Sequence, residues 1–238
     1  MKRLKTLKSF FIASAIGFIF VTIVIPGWNL LSYFISFMLL LAVSKKYSIK
    51  DRFRLTPKQA VILFIILSWF SGMMLEALLP GVGGMHSKTI PSFILAQGYY
   101  WPFALIMLWL IKKHHFTFWE AFFAAGLASI WESTFILRGV VMTLISPFFF
   151  LAPFVFAMYT ATYGIIVGLP LLFINEKLLW AKVEKPISLR QKLIKGIFIA
   201  GIGSMVTYVI WLILMNVIFH NFDSFSDILG PTNATNLP

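Results

Sequence analysis

The sequence predicts an all-α fold: a polytopic membrane helical bundle of about seven transmembrane helices, with the N-terminus cytoplasmic and the C-terminus outside. Three observations carry that expectation. Of the 238 residues, 60% are hydrophobic and only 12% charged, whereas a soluble domain runs at about 45–50% apolar and about 25% charged. With a mean hydropathy of +0.90, so much apolar surface cannot be hidden in one small water-soluble core. The apolar residues fall in runs near the roughly 20 residues that cross a bilayer as helix, and the basic residues fall between those runs with one parity.

The runs are Ser9–Ile25, Gly27–Val43, Gln59–Leu79, Pro91–Ile111, Phe118–Leu137, Pro153–Ile174 and Lys195–Phe219. The first two are short and separated only by Pro26-Gly27, so residues 9–43 read either as two thin spans or as one hairpin dipping from the cytoplasmic side. The basic start and apolar run at the amino terminus suit a signal peptide. No convincing small-residue cleavage site follows, and a retained helix is expected. Residues 1–219 read as a single transmembrane domain. Residues 220–238, with two Asp, no Lys or Arg, and Gly230, Pro231 and Pro238, read as a flexible extracytoplasmic tail.

Charge sets the orientation. Lys2, Arg3, Lys5 and Lys8 precede the first run, and Lys45, Lys46, Lys50, Arg52, Arg54 and Lys58 follow the second. Lys112 and Lys113 follow the fourth, and Lys177, Lys182, Lys185, Arg190, Lys192 and Lys195 follow the sixth. Eighteen of the twenty Lys and Arg thus share one side, leaving Lys88 and Arg138 on the other. Positive charge stays cytoplasmic. The net charge of +12 is therefore a topology signal, compatible with anionic lipid, and no nucleic-acid partner is expected. The expected location is the plasma (inner) membrane, multi-pass, with membrane lipids as neighbours.

The stretch 140–174 is apolar throughout, interrupted by Pro147 and Pro153. Arg138 outside and Lys177 inside demand an odd number of crossings. One crossing from Pro153 leaves 140–152 as an interfacial or re-entrant segment, buried against protein. Helix starts agree with the map. Thr56–Gln59, Thr117–Glu120 and Ser188–Gln191 each match the S/T-x-x-E/Q capping box before the third, fifth and seventh spans. The last box lies upstream of its span, which implies a short cytosolic turn first.

Within the spans, ionised side chains cost about 2.5–3.5 kcal/mol at mid-helix on insertion scales, so those present need a reason. Glu120 is accounted for by its capping box. Glu76 and Glu132 are not; they lie at depths of roughly 5 and 9 Å from the outer ends of their spans at 1.5 Å per residue. Ser68, Gly72 and Glu76 share one helix face, and Ala124, Ala128 and Glu132 repeat the spacing beside Ala121, Ala125 and Ser129. Small residues at that spacing let helices approach closely in lipid, so both faces are expected to meet protein.

The same outward half holds His86 and Lys88 on a glycine-rich loop, Gln97, Tyr99 and Tyr100 before a kink at Trp101-Pro102, and Arg138 after span five. It also holds Tyr159, Thr160, Thr162 and Tyr163 in span six. A desolvated glutamate has a raised pKa and can act as a general acid or base. Glu132 and Glu76 are therefore the candidate catalytic residues. His86, Lys88, Gln97, Tyr100, Arg138, Thr160 and Tyr163 are candidate ligand-binding residues for a lipidic or small amphipathic ligand, an isoprenoid included. A purely structural reading stands beside this one, with the glutamates pairing Lys88 or Arg138 and the tyrosines forming an interfacial belt.

His114-His115 reads as a solvated loop rather than a metal site, and Asp51, among cations, as solvated. No HExxH, GxGxxG, P-loop or serine-elbow motif is present, so no metal or cofactor is expected. Zero cysteines exclude thiolate chemistry. Three functions remain open: an intramembrane lipid-site protein with glutamate acid/base chemistry, a proton- or cation-coupled transporter, and an assembly subunit with a membrane-protein partner.

Overall fold

In a computed structural model of the chain, the described residues are 28–77, 97–131, 134, 149–181 and 187–219, with no strand among them. The first run, Ser9–Ile25, lies outside them. So do the 140–148 part of the expected re-entrant segment and the 220–238 tail.

Helix α1 spans Trp28–Lys46, α2 is the short Ile49–Arg52, and α3 spans Pro57–Ala77. A 3-10 turn, Gln97–Tyr99, leads into α4, Tyr100–His114; α5 follows at Phe118–Trp131. A second 3-10 turn, Phe149–Leu151, opens α6, Ala152–Gly168, and two more, Pro170–Leu172 and Glu176–Leu179, close it. The last rod is unbroken: α7 at Leu189–Lys195, a π-helical turn at Gly196–Ala200, and α8 at Gly201–Phe219. Among the described residues, two helices are long and apolar enough to cross a membrane, Pro57–Leu75 with mean hydropathy 1.7 and Leu189–Trp211 with 1.8. Phe118–Trp131 and Val155–Gly168 are apolar but shorter.

Two boundaries differ from the sequence expectation. The Ser188 box makes both of its bonds, Gln191 N to Ser188 Oγ and Ser188 N to Gln191 Oε1. The helix starts there directly, with no preliminary turn, because the intervening Lys192 and Lys195 find partners inside the protein. Pro102, expected to mark a kink, lies near the start of a helical run described from Gln97 onward. It lies in the first turn of α4, where its missing N–H and fixed φ do no damage.

The small-residue faces pack as expected. Ser68 and Gly72 are buried on α3, and Ala121, Ala124, Ala125, Ala128 and Ser129 are buried on α5. α5 is the central helix. Its most extensive interface is with α6, where Gly126 lies directly against the Thr160 carbonyl. Its other flank meets the last rod: a Cβ on Gly196 would stand 2.6 Å from Ala124 Cβ, and one on Gly201 3.0 Å from the Ala128 carbonyl oxygen. Close backbone approach replaces side-chain bulk on both flanks.

Five hydroxyls in the helices are satisfied locally. Ser129 donates to Gly126 O, Thr160 to Phe156 O, Thr162 to Tyr159 O, Ser204 to Gly201 O and Thr207 to Gly203 O. Each hydroxyl uses a carbonyl of its own helix, so it needs no water. Between helices, Tyr33 Oη and Ser71 Oγ lie 2.6 Å apart, and Ser44 donates to Leu172 O at 2.8 Å. These bonds tie α1 to α3 and to the end of α6.

Large apolar side chains also cover the outside of the bundle, around a core that buries Phe37, Phe64, Phe103, Phe122 and Met107. Ile62, Ile66, Phe70 and Met74 form one exposed stripe on α3; Leu105 and Trp109 do so on α4, and Ile202, Val206, Ile210 and Ile213 on α8. This is the reverse of a water-soluble core helix, whose apolar stripe points inward.

Gly126→Ala is expected to destabilise the fold by about 1–3 kcal/mol, since a backbone atom must move to admit the methyl. Gly203→Ala meets only the flexible end of Ile106 at 2.7 Å and should be nearly neutral. Thermal unfolding of the two variants in detergent measures the contrast.

Candidate functional site

Two polar or concave regions stand out, at opposite levels of the bundle. The first is a narrow cleft between α4, α6 and α8, lined by Tyr99, Tyr100, Phe103, Tyr163, Ser204, Met205 and Tyr208. It holds about 280 Å³ of empty space with its open mouth included, and its inner part is no wider than a water-sized group. The rings hold one another in place. Tyr99 lies 4.2 Å from Tyr100 and 4.9 Å from Tyr208, edge-on to the latter, and Phe103 meets Tyr163 edge-on at 5.7 Å. Edge-to-face and offset contacts of this kind add about 0.5–1.5 kcal/mol each beyond area burial.

Glycines set the walls. A Cβ on Gly72 would stand 2.5 Å from Tyr100 Cγ, so the Tyr100 ring lies flat against the α3 backbone. Gly98 is covered by the Trp211 ring in the same way, which docks the entry turn of α4 on α8. Position 76 lies one turn beyond Gly72 on the stripe that Tyr100 covers. Ser68 lies one turn before it, fully buried, and its hydroxyl has no hydrogen-bond partner among the described residues.

Of the sequence-derived site residues, Tyr100 and Tyr163 therefore meet on one cleft. Thr160 does not join them; it is buried in the α5–α6 seam, with its hydroxyl bonded to its own helix. Gln97 opens the turn before α4 and Glu76 is near the end of α3, but neither side chain is described. Glu132, His86, Lys88 and Arg138 lie outside the described residues. Phe103, Ser204, Met205 and Tyr208 were not among the sequence candidates. The i, i+4 pair Ser204 and Tyr208 was the available signal, two polar groups on one face of a mostly apolar helix.

The second region is the basic end of the bundle, where the α1–α3 loop, the α4–α5 turn, the segment after α6 and the start of α7 converge. Lys192, only 5% exposed, donates to Glu120 Oε2 at 2.7 Å and to the His115 carbonyl at 2.9 Å. Glu120 also accepts from Thr117 N at 2.8 Å, the half of its capping box that uses the carboxylate. Lys195 Nζ lies 3.0 Å from His114 Nε2. Lys50 pairs with Glu176 at 2.8 Å. Cation–π contacts flank these pairs, Lys192 over Phe116 at 5.4 Å and Lys50 over Phe118 at 5.2 Å.

No family model, curated protein or solved structure matches this chain.

The histidine pair corrects a sequence expectation. His114 is buried at the end of α4, and His115 takes a left-handed backbone at φ 53°. The His115 ring stacks on Trp180 at 5.1 Å, with Nε2 2.7 Å from Ala181 O. Neither belongs to a solvated loop; the pair instead anchors the strap that returns after α6. Ala181 N donating to Lys112 O and Trp180 Nε1 to Phe116 O complete that anchor. Among the described residues no three His, Asp or Glu side chains gather as metal ligands. Asp51 is exposed, as expected.

A charge buried without its partner is costly. Lys192→Met should lower stability by about 3–5 kcal/mol by stranding Glu120, whereas Lys192→Met with Glu120→Leu should recover most of the loss. Denaturation midpoints of the single and double variants in one detergent provide the measurement.

Proposed function

We propose that the chain is a multi-pass protein of the plasma (inner) membrane whose outward half binds a lipidic or small amphipathic ligand. The observation that carries this reading is the cleft of tyrosine, phenylalanine, methionine and serine side chains, all neutral, in a bundle with aliphatic residues on its outer faces. Hydrocarbon around the protein explains the exposed stripes of Ile62 to Met74 and Ile202 to Ile213. Water would oppose both. With the basic end taken as cytoplasmic, the N-terminus is inside, about seven spans result, and the C-terminus is outside.

Depth along α4 supports an outward-half position for the cleft. Tyr99 and Phe103 precede His114, the last residue of α4, by some 22 and 16 Å at roughly 1.5 Å per residue. A narrow, uncharged slot at that level suits a small apolar group of an amphipathic ligand lodged at its mouth better than an ion. In the enzymatic form of this reading, Glu76 and Glu132 act as general acid and base on the ligand's polar end, and Lys88 and Arg138 hold an anionic headgroup.

Mass spectrometry of lipid co-purifying with the detergent-solubilised chain tests this. Wild type should retain one chemical class of lipid above the detergent background. Ser204→Leu, which fills the cleft from α8, should lower that retention about tenfold, equivalent to 1.4 kcal/mol, without loss of fold. Retention unchanged in Ser204→Leu would refute the cleft as the site. Glu132→Gln should retain the ligand; if the protein is an enzyme, that variant should also lose turnover.

A further inference from the structure

A second surface is built for a different part of the membrane. We infer that the loop 45–58 at the basic end docks on anionic phospholipid headgroups of the leaflet it faces, with Arg52 and Arg54 as the headgroup contacts and Tyr47 and Phe53 as the apolar wedge. This rests on the membrane reading above but not on the cleft or its ligand.

Four observations converge there. The loop holds Lys45, Lys46, Lys50, Arg52, Arg54 and Lys58 against the single acid Asp51. Of the nearby acids, Glu176 neutralises Lys50 of the loop itself and Glu120 is taken by Lys192, so neither is engaged with Arg52 or Arg54. Lys45, Lys46, Arg52, Arg54 and Lys58 are all exposed, and Arg52 and Arg54 make no ion pair among the described residues. Two large rings share the loop with them at the surface, Tyr47 at 48% and Phe53 at 49% exposure. Water gives no reason to display either ring.

The level is right for headgroups. Leu39, Leu40 and Val43, exposed on α1, end one turn before Lys46, and the exposed α3 stripe begins at Ile62 just after Lys58. The loop therefore spans the rim where the aliphatic belt stops. Lys46 lies 5.4 Å over the Tyr47 ring, and the Phe53 ring rests edge-on against Phe173 at 6.2 Å, which steadies the wedge from behind. Rings at the carbonyl level with cations above them form the pattern that binds an acidic bilayer surface. A free phosphate has no use for the rings, so a lipid is the occupant the surface fits.

The experiment is equilibrium binding of fluorescent phosphatidylglycerol to the full chain in neutral detergent, with phosphatidylcholine and glycerol 3-phosphate as competitors. Phosphatidylglycerol should bind in preference to phosphatidylcholine, weaken as salt rises, and resist displacement by glycerol 3-phosphate. Each basic residue near an acidic surface contributes about fivefold, so Arg52→Gln with Arg54→Gln should weaken binding by roughly 25-fold. Both side chains are exposed, so the double variant should unfold at the wild-type temperature. Tyr47→Ser with Phe53→Ser should cost affinity while leaving the salt dependence intact. Equal binding of the two lipids, full affinity in the arginine double variant, or displacement by glycerol 3-phosphate would each overturn the inference. Release of the chain from membranes by alkaline carbonate, in contrast, would overturn the membrane reading itself.

Discussion

Helices that present aliphatic residues outward cannot be held together by hiding those residues, so the bundle depends on how closely the backbones approach. The flanks of α5 supply that approach. On one flank Gly126 leaves room for the Thr160 carbonyl, and on the other Ala124 and Ala128 receive Gly196 and Gly201. Dispersion between atoms at contact distance is small per pair and large in sum, and it does not depend on the medium expelling apolar groups. The rest of the architecture follows from this seam. With α6 and the last rod both pressed onto α5, α4 lies across them, and the tyrosine cleft is the space left where the three cannot close.

The basic end solves a different problem. Chain reversals need polar backbone and charged side chains, and these must be anchored to helices whose interiors are apolar. Lys192 reaches across to both the start of α5 and the end of α4, and so couples three elements through one ammonium group. The strap after α6 is tied down by Trp180, Ala181 and Lys50. Interactions at this end are short and charged, whereas those at the opposite level are aromatic and neutral. The two ends therefore respond to different perturbations, one to ionic strength and the other to hydrocarbon-like additives.

Much of the local structure could be read from the residues because it depends on near neighbours. The helix starts at Thr56, Thr117 and Ser188, and the small-residue faces of Ser68–Gly72 and Ala124–Ala128, need only spacings of three or four. What escaped reading is long-range. Lys192 looked like one more solvated cation because its partner, Glu120, is 72 residues away and had a local explanation of its own. His114-His115 looked exposed because a Lys-Lys-His-His run is polar; only the arrival of Trp180 and Ala181 buries it. Tyr100 and Tyr163 were chosen by level along their helices, and the structure brings them onto one cleft. Thr160, chosen by the same rule, lies in the α5–α6 seam instead, since level says nothing about azimuth. Ser204 and Tyr208 were missed because nothing in their own helix shows that Tyr99 and Tyr163 come to face them.

The widened turn at Gly196–Ala200 has its own consequence. Five residues of ordinary helix rotate through about 500°, which would leave Gly201 some 140° away from the side occupied by Gly196. Because this turn is π-helical, both glycines instead meet the same neighbour. The extra residue acts as a phase corrector. Losing it by deletion would leave length and composition almost untouched, yet would swing everything downstream about the rod's axis and aim Ser204 and Tyr208 at surroundings they were not placed to meet.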